Sequence, residues 1–340
     1  MAAKFSVDQI GPLVSIQDAG RQGYMRYGVT GAGPMDRLSH TLANLAVGNQ
    51  PQAATIEVSL GGVSLHCLEG EATLAIAGGC FNSVLDGRSI SPWSRFDMQA
   101  GSKVSIRPGP WGSWCYVAFA GSLVAPSWLG SQSMIQGTTL CGTPLQLHDI
   151  INLDTSATTT APSRAGGKIT QLIDPAPLQP DHAIRIVAGP QDRYFNDESI
   201  HALHSAPFQL TADYNRMGIR LSGPALKINT ELNMPSAPVT RGSIQVPGHG
   251  DPICLMADHQ TTGGYPKIAT IISADQDKLA QLRTGDTVNF NLCTAAEAVL
   301  IARRHHEQLE SMTQSMHANQ VSLEDRLWAH NLIGGVISAQ

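Results

Sequence analysis

The sequence predicts a mainly β protein with a few helices, divided into two domains. Three observations lead there. Short β-branched or aromatic runs recur along the chain between Gly, Pro and Asp. The 33 glycines and 20 prolines interrupt these runs at short spacing, a pattern typical of barrels and sandwiches. At 340 residues the chain also exceeds the length at which a single core usually splits. Strands do not alternate regularly with helices of about 10–15 residues, so a doubly wound sheet is disfavoured.

The first β domain is expected over residues 1–155. Its helix lies at 36–47, DRLSHTLANLAV, where Leu38, Leu42, Leu45 and Ala46 share one face and Gly48-Asn49 stops the run. Asp36 reads as the N-cap of that helix. Strands follow at 72–78, 103–107 and 114–120. A linker is expected at 156–182, rich in Thr, Ser, Ala and Pro with little to bury.

The second β domain is expected over 183–293, with strands at 184–188, 208–212, 253–257, 268–272 and 287–292 and a short helix at 197–204. Ser273-Ala-Asp-Gln276 resembles a capping box opening a helix that turns Leu279 and Leu282 inward. Thr294-Ala-Ala-Glu297 is a second such box. It starts the longest helix, within a C-terminal segment, 294–340, whose apolar stretch 327–337 is expected to pack back on the body. Gln99–Ile106 and Arg283–Phe290 echo each other, each a Gly turn followed by an alternating strand.

Composition removes several classes of function. A net charge of -5 with scattered basic residues does not suit a nucleic-acid surface. No window approaches the roughly 18 apolar residues that span a bilayer. The N-terminus lacks the apolar stretch of a signal peptide. Six dispersed cysteines without a C-x-x-C pair read as reduced thiols in a cytoplasm, with no metal site.

The densest polar stretch is 244–268, where an apolar strand runs into Asp258-His-Gln-Thr-Thr-Gly-Gly-Tyr-Pro-Lys267. It gathers a carboxylate, an imidazole, an amide, two hydroxyls, a phenol and an ammonium beside glycines that admit close backbone approach. Either it lines a site or Gly263-Gly264 merely turns a hairpin. Lys267 lacks the Gly-Lys-Ser/Thr context of a Walker A loop. A second stretch holds Gln17, Asp18, Arg21 and Tyr24; Arg21 either clamps a carboxylate or pairs with Asp18. A third, 213–220, sets Arg216 and Arg220 about a turn, an anion site or ordinary exposed arginines.

These residues resemble one family. Gln17-Asp-Ala-Gly-Arg-Gln-Gly-Tyr24, Gly33-Pro-Met-Asp36, Ile56-Glu-Val-Ser-Leu-Gly-Gly62, Arg216-Met-Gly-Ile-Arg-Leu221, Ile244-Gln-Val-Pro-Gly248 and Ala257–Lys267 occur in the order of the 5-oxoprolinase C-subunit family. That family is also described as allophanate hydrolase subunit 2 or biotin-dependent carboxyltransferase. It is related to the urea carboxylase carboxyltransferase domain and to the antagonist of a sporulation kinase inhibitor.

The resemblance implies two cyclophilin-like β-barrel domains, a B-like partner subunit and an A-like one. It implies ATP-dependent opening of 5-oxoproline, a small cyclic amide, to glutamate, with ATP handled by the complex. Two alternatives are a carboxyltransferase component of a biotin-dependent urea or amide carboxylase, with biotin on a partner chain, and a non-enzymatic regulator of the B-type subunit. On this basis Lys267 and Tyr265 are expected to polarise the substrate or bind an anion, and Asp258 or His259 to transfer a proton. Gln17, Asp18, Arg21, Tyr24, Arg216, Arg220, Gln245, Gln260, Thr261, Thr262, Gly263 and Gly264 are expected to bind substrate or anion.

Overall fold

Burial alternates along the first strand, Ala3–Ile10, which turns Ala3, Phe5 and Val7 inward and so sets one face of a core. The computed structural model describes residues 3–154, 169–229 and 234–320. In the first half a seven-stranded sheet runs in the order Ser122–Leu123, Ile150–Asp154, Ala3–Ile10, Val63–Glu69, Lys103–Arg107, Asn82–Leu85 and Arg88–Ile90. A six-stranded sheet packs against it in the order Thr170–Gln171, Ser94–Gln99, Glu71–Ala77, Cys115–Phe119, Thr55–Val58 and Ser15–Gln17. Phe5, Leu65 and Val104 of the one meet Ile56, Leu74, Phe96 and Val117 of the other in a common core.

The second half is a closed barrel. Its strands follow one another as Ala183–Ala188, Lys267–Ile271, Ser243–Gln245, Ile253–Leu255, Gly218–Ser222, Phe208–Tyr214 and Thr287–Leu292. The last returns to pair in parallel with the first, Ala183 opposite Asn289. Closure leaves the barrel without an open edge. A ribbon of Ala237–Pro238 and Thr262–Gly263 lies outside the ring.

Among the described residues the α-helices are α1 (Arg37–Ala46), α2 (Asp197–Ser205), α3 (Gln276–Gln281) and α4 (Ala295–Gln320). Asp36 caps α1, accepting from the Ser39 N–H at 3.0 Å. The Thr294–Glu297 box forms at the start of α4, each side chain bonding the other's backbone N–H. The box expected at Ser273 does not form. A 3₁₀ turn, Ser273–Asp275, precedes α3, and no side chain caps it. Asp275 instead takes the Arg185 guanidinium at 2.6 and 2.8 Å. Leu279 and Leu282 still point inward.

Of the expected linker, Thr170–Gln171 extends the six-stranded sheet, while 156–168 fall outside the described residues. The apolar tail at 327–337 also lies outside them. The echoed turns share one local geometry: Gly101 and Gly285 both take positive φ, 93° and 90°. All six cysteines are unpaired. No described helix is long and apolar enough to cross a membrane.

The two halves share a hydrophobic core. Met35, Leu42, Leu45 and Trp114 from the first pack with Phe208, Ile244, Met256 and Phe290 from the second. Polar groups reinforce the junction at Gly33-Pro-Met-Asp36. Arg216 donates to Gly33 O, Arg241 to Pro34 O and Met35 O, and Gln281 to the Asp36 carboxylate. Gly33 has φ 86°, which suits glycine.

Candidate functional site

Strand ends on the barrel wall build a cleft of about 600 Å³, within the range of small-molecule sites. One side is the turn joining Phe208–Tyr214 to Gly218–Ser222, which supplies Asp213, Tyr214, Asn215 and Met217, with Arg220 just beyond. Asn215 shapes this turn by accepting from the Met217 N–H at 2.8 Å. The other side is the loop after Ile253–Leu255, which supplies Gln260 and Tyr265, with Gln245 from the neighbouring strand. The loop lies on the glutamines through Gly263. A Cβ there would stand 2.5 Å from Gln245 Nε2 and 3.1 Å from Gln260 Nε2. Gln245 also donates to Tyr265 O at 3.2 Å.

The cleft offers three carboxamides, two phenols, one guanidinium and one carboxylate. Carboxamides donate and accept in one plane, which matches a planar amide or ureido group. Arg220 can pair with a carboxylate. A single cation beside Asp213 does not suit a triphosphate, so the cleft is not a fit for ATP. Among the described residues no group of three His, Cys, Asp or Glu side chains could hold a metal ion.

Arg216 faces away from the cleft. It is fully buried, correcting the view of an exposed arginine beside a turn. Its guanidinium grips Asp258 at 2.8 and 2.9 Å, donates to Gly33 O at 2.6 Å and contacts Glu57. With both carboxylates engaged it has no free face for a substrate anion. Burial opposes its charge, but Asp258 and Glu57 outweigh burial and hold it protonated. Asp258 also accepts from the Gln136 N–H at 3.0 Å. A carboxylate held this way is a structural ion, so the proton-transfer role expected of Asp258 does not fit its surroundings. Glu57 accepts from the Met35 N–H at 2.7 Å and the Tyr116 hydroxyl at 2.8 Å. Burial, then the Glu57 and Asp36 charges, pushes the Tyr116 phenol up and keeps it a donor.

His259 is buried, with Nδ1 2.6 Å from Gln260 O. Burial, helped by the Arg241 charge, lowers its pKa and favours neutral imidazole. Lys267 is buried beside Gln245 in register and donates to Pro238 O at 2.7 Å. It does not line the cleft. Thr262 belongs to the outer ribbon and Thr261 leads into it, its carbonyl accepting from the Val239 N–H; a Cβ on Gly264 would meet Met234 O and Ser236 Oγ at 4.0 Å, an ordinary contact.

The N-terminal candidates gather elsewhere. Asp18 accepts from Ser131 and Ser133 hydroxyls, both at 2.6 Å, and from the Gln132 N–H. Burial raises its pKa, but these bonds outweigh burial and hold it below the usual range. Arg21 donates to Trp128 O and Ser133 O. The two therefore hold the 128–133 segment separately, and the Asp18–Arg21 pair does not form. Gln17 donates to Met134 O. Tyr24 precedes a 3₁₀ turn, Met25–Tyr27. None of the four lines the cleft.

Glu57, Tyr116 and Gln136 are not recognisable as site residues in the sequence. The stretch 213–220 stands out through its two arginines, and of that stretch the cleft takes Asp213, Tyr214, Asn215 and Arg220. Glu57 and Tyr116 sit inside apolar runs and meet partners remote in sequence.

The family model described as carboxyltransferase domain, subdomain A and B, matches residues 27–292. The chain is 32% identical over 308 residues to the C subunit of 5-oxoprolinase from Escherichia coli (strain K12), covering 90% of this chain and 97% of that relative. It is 30% identical over 298 residues to urea amidolyase of Saccharomyces cerevisiae, covering 82% of this chain but 16% of that protein. The crystal structure of the Kluyveromyces lactis urea carboxylase matches with a TM-score of 0.78 and 25% identity, covering 91% of this chain and 29% of that one.

Proposed function

Because the chain belongs to the carboxyltransferase-domain family, among its 5-oxoprolinase C-subunit members, we propose that it is the C-type subunit of an ATP-dependent 5-oxoprolinase. The convergence of Gln245, Gln260, Tyr265 and Arg220 on one cleft carries this reading. The substrate, 5-oxoproline, is a planar lactam bearing one carboxylate. Arg220 pairs with the carboxylate, and the Gln245 and Gln260 carboxamides meet the lactam edge. Tyr265 donates to the lactam oxygen; one well-aimed donor of this kind is worth about 3–4 kcal/mol. Lys267 contributes positive potential from outside the cleft lining, and neutral His259 transfers the proton. Asp258 and Arg216 hold the frame. Water adds to the lactam carbonyl, the C–N bond breaks and the ring nitrogen takes the proton to give glutamate, while an A-like or B-like partner cleaves ATP to ADP and phosphate.

The test is to co-purify the chain with its partner subunits and measure glutamate from 5-oxoproline with and without ATP. Arg220→Ala raises KM at least tenfold, the loss expected for one charge-assisted contact. Unchanged kinetics in that variant would remove the cleft from the reaction.

The likeness to urea amidolyase and urea carboxylase favours a second reading. The same cleft would accept urea opposite a ureido group carried as biotin on a partner chain, and carboxyl transfer would follow. Avidin abolishes activity on this reading and leaves glutamate release untouched on the first.

A further inference from the structure

We propose that Glu57, which lies in the other half of the molecule from the cleft, is a positioning residue for it. Glu57 stands on Thr55–Val58 of the six-stranded sheet and is fully buried. Its reach into the second half is the contact with Arg216. Arg216 lies between Asn215 and Met217, which wall one side of the cleft. Its carbonyl accepts from the Asp258 N–H at 2.8 Å, and its guanidinium grips the Asp258 carboxylate. Two residues past Asp258 comes Gln260 on the opposite wall. One guanidinium thus fastens both walls together.

Asp258 alone balances the Arg216 charge. Glu57 adds a second buried carboxylate that charge balance does not require, and burying a charge is costly. What it adds is direction. Gly33 O already holds Nη2 and the Gln136 N–H already holds Asp258 from the first half, and Glu57 adds the charged contact that fixes Nη1 there as well. Glu57 is itself aimed by the Met35 N–H and the Tyr116 hydroxyl, and Tyr116 in turn accepts from the Asp36 N–H at 2.7 Å. The spacing of the cleft walls is therefore set from outside the barrel that contains them. The functional consequence rests on the cleft being the working site proposed above; the positional one does not.

The test uses the intact chain and Glu57→Gln, which keeps the side chain's shape, removes the charge and leaves one accepting oxygen in place of two. Native-state hydrogen exchange is read at the Arg216, Met256, Asp258 and Gln136 amides, all hydrogen-bonded about this network. Exchange there is expected to quicken about tenfold while strands 63–69 and 103–107 in the half that holds Glu57 stay within about twofold. A uniform rise, a rise confined to the first half, or no change overturns the proposal. Should Glu57→Gln fail to fold, Tyr116→Phe carries the same expectation at about threefold. In the reconstituted complex, Glu57→Gln raises KM for 5-oxoproline more than it lowers kcat. The exchange experiment needs no substrate. If the wild-type complex releases no glutamate, the proposed function fails and the exchange pattern still decides the role of Glu57.

Discussion

Gly263 and Arg216 mark the two kinds of residue on which the cleft depends. Gly263 leaves room for the Gln245 and Gln260 amides. Gly263→Ala pushes against flexible side-chain ends, so we expect a stability loss under about 1 kcal/mol. Substrate binding weakens as the amides turn aside, and calorimetry beside a ligand titration separates the two effects. Arg216→Met leaves Asp258 and Glu57 buried without their cation, with an expected loss of about 3–5 kcal/mol in denaturant unfolding. The sequence discloses these residues unequally. The run Asp258–Lys267 stands out because its polar groups crowd together, and Gln260 and Tyr265 do meet the cleft. Arg216 looks like a surface charge because its neutralising partners lie 42 and 159 positions away. Sequence spacing carries no record of such pairs.

At the scale of elements, α1 joins two opposed titrations. Burial lowers the His40 imidazole from 6.5 to about 4, against the raising influence of nearby carbonyls and Asp18. Burial above all, then the Asp277 charge, raises the Asp36 carboxyl from 3.8 to about 6, against hydrogen bonds from Ser39 and Gln281. As pH falls from 6.5 towards 4, the unfolded chain protonates His40 and the folded chain does not, so stability is lost. Over nearly the same window the folded chain protonates Asp36 and the unfolded chain does not, so stability is gained. Each effect is on the order of 3 kcal/mol, and they largely cancel. Asp36→Asn keeps a capping side chain and removes one side of the balance. Its unfolding free energy should fall by about 3 kcal/mol between pH 6.5 and 4 while the wild type changes far less; parallel curves for the two proteins would contradict this. Helix α1 itself is legible in the sequence, since its apolar face and its N-cap are local signals. The missing cap on α3 is not, because the chain enters that helix through a 3₁₀ turn and Asp275 is drawn to Arg185.

The strand-rich architecture of the whole molecule is evident from short apolar runs and turn residues, and the strands predicted at 103–107 and 287–292 match in extent. How the halves join is hidden. Gly33-Pro-Met-Asp36 reads as a loop opening a helix, yet three of its carbonyls and its carboxylate take donors from the second half. Arg283 does the same for the Gly109 and Gly112 carbonyls. These bonds bridge well over a hundred positions of sequence, beyond any local pattern. Their number bears on what the molecule becomes when divided. Produced as two separate polypeptides, 1–154 and 169–340, neither would find water an adequate replacement for its absent neighbour, and each alone should aggregate or remain loosely ordered. Refolded together, the fragments should reassemble as a one-to-one complex on a sizing column, because Arg216, Arg241, Gln281 and Arg283 of one fragment meet carbonyl and carboxylate oxygens held ready in the other.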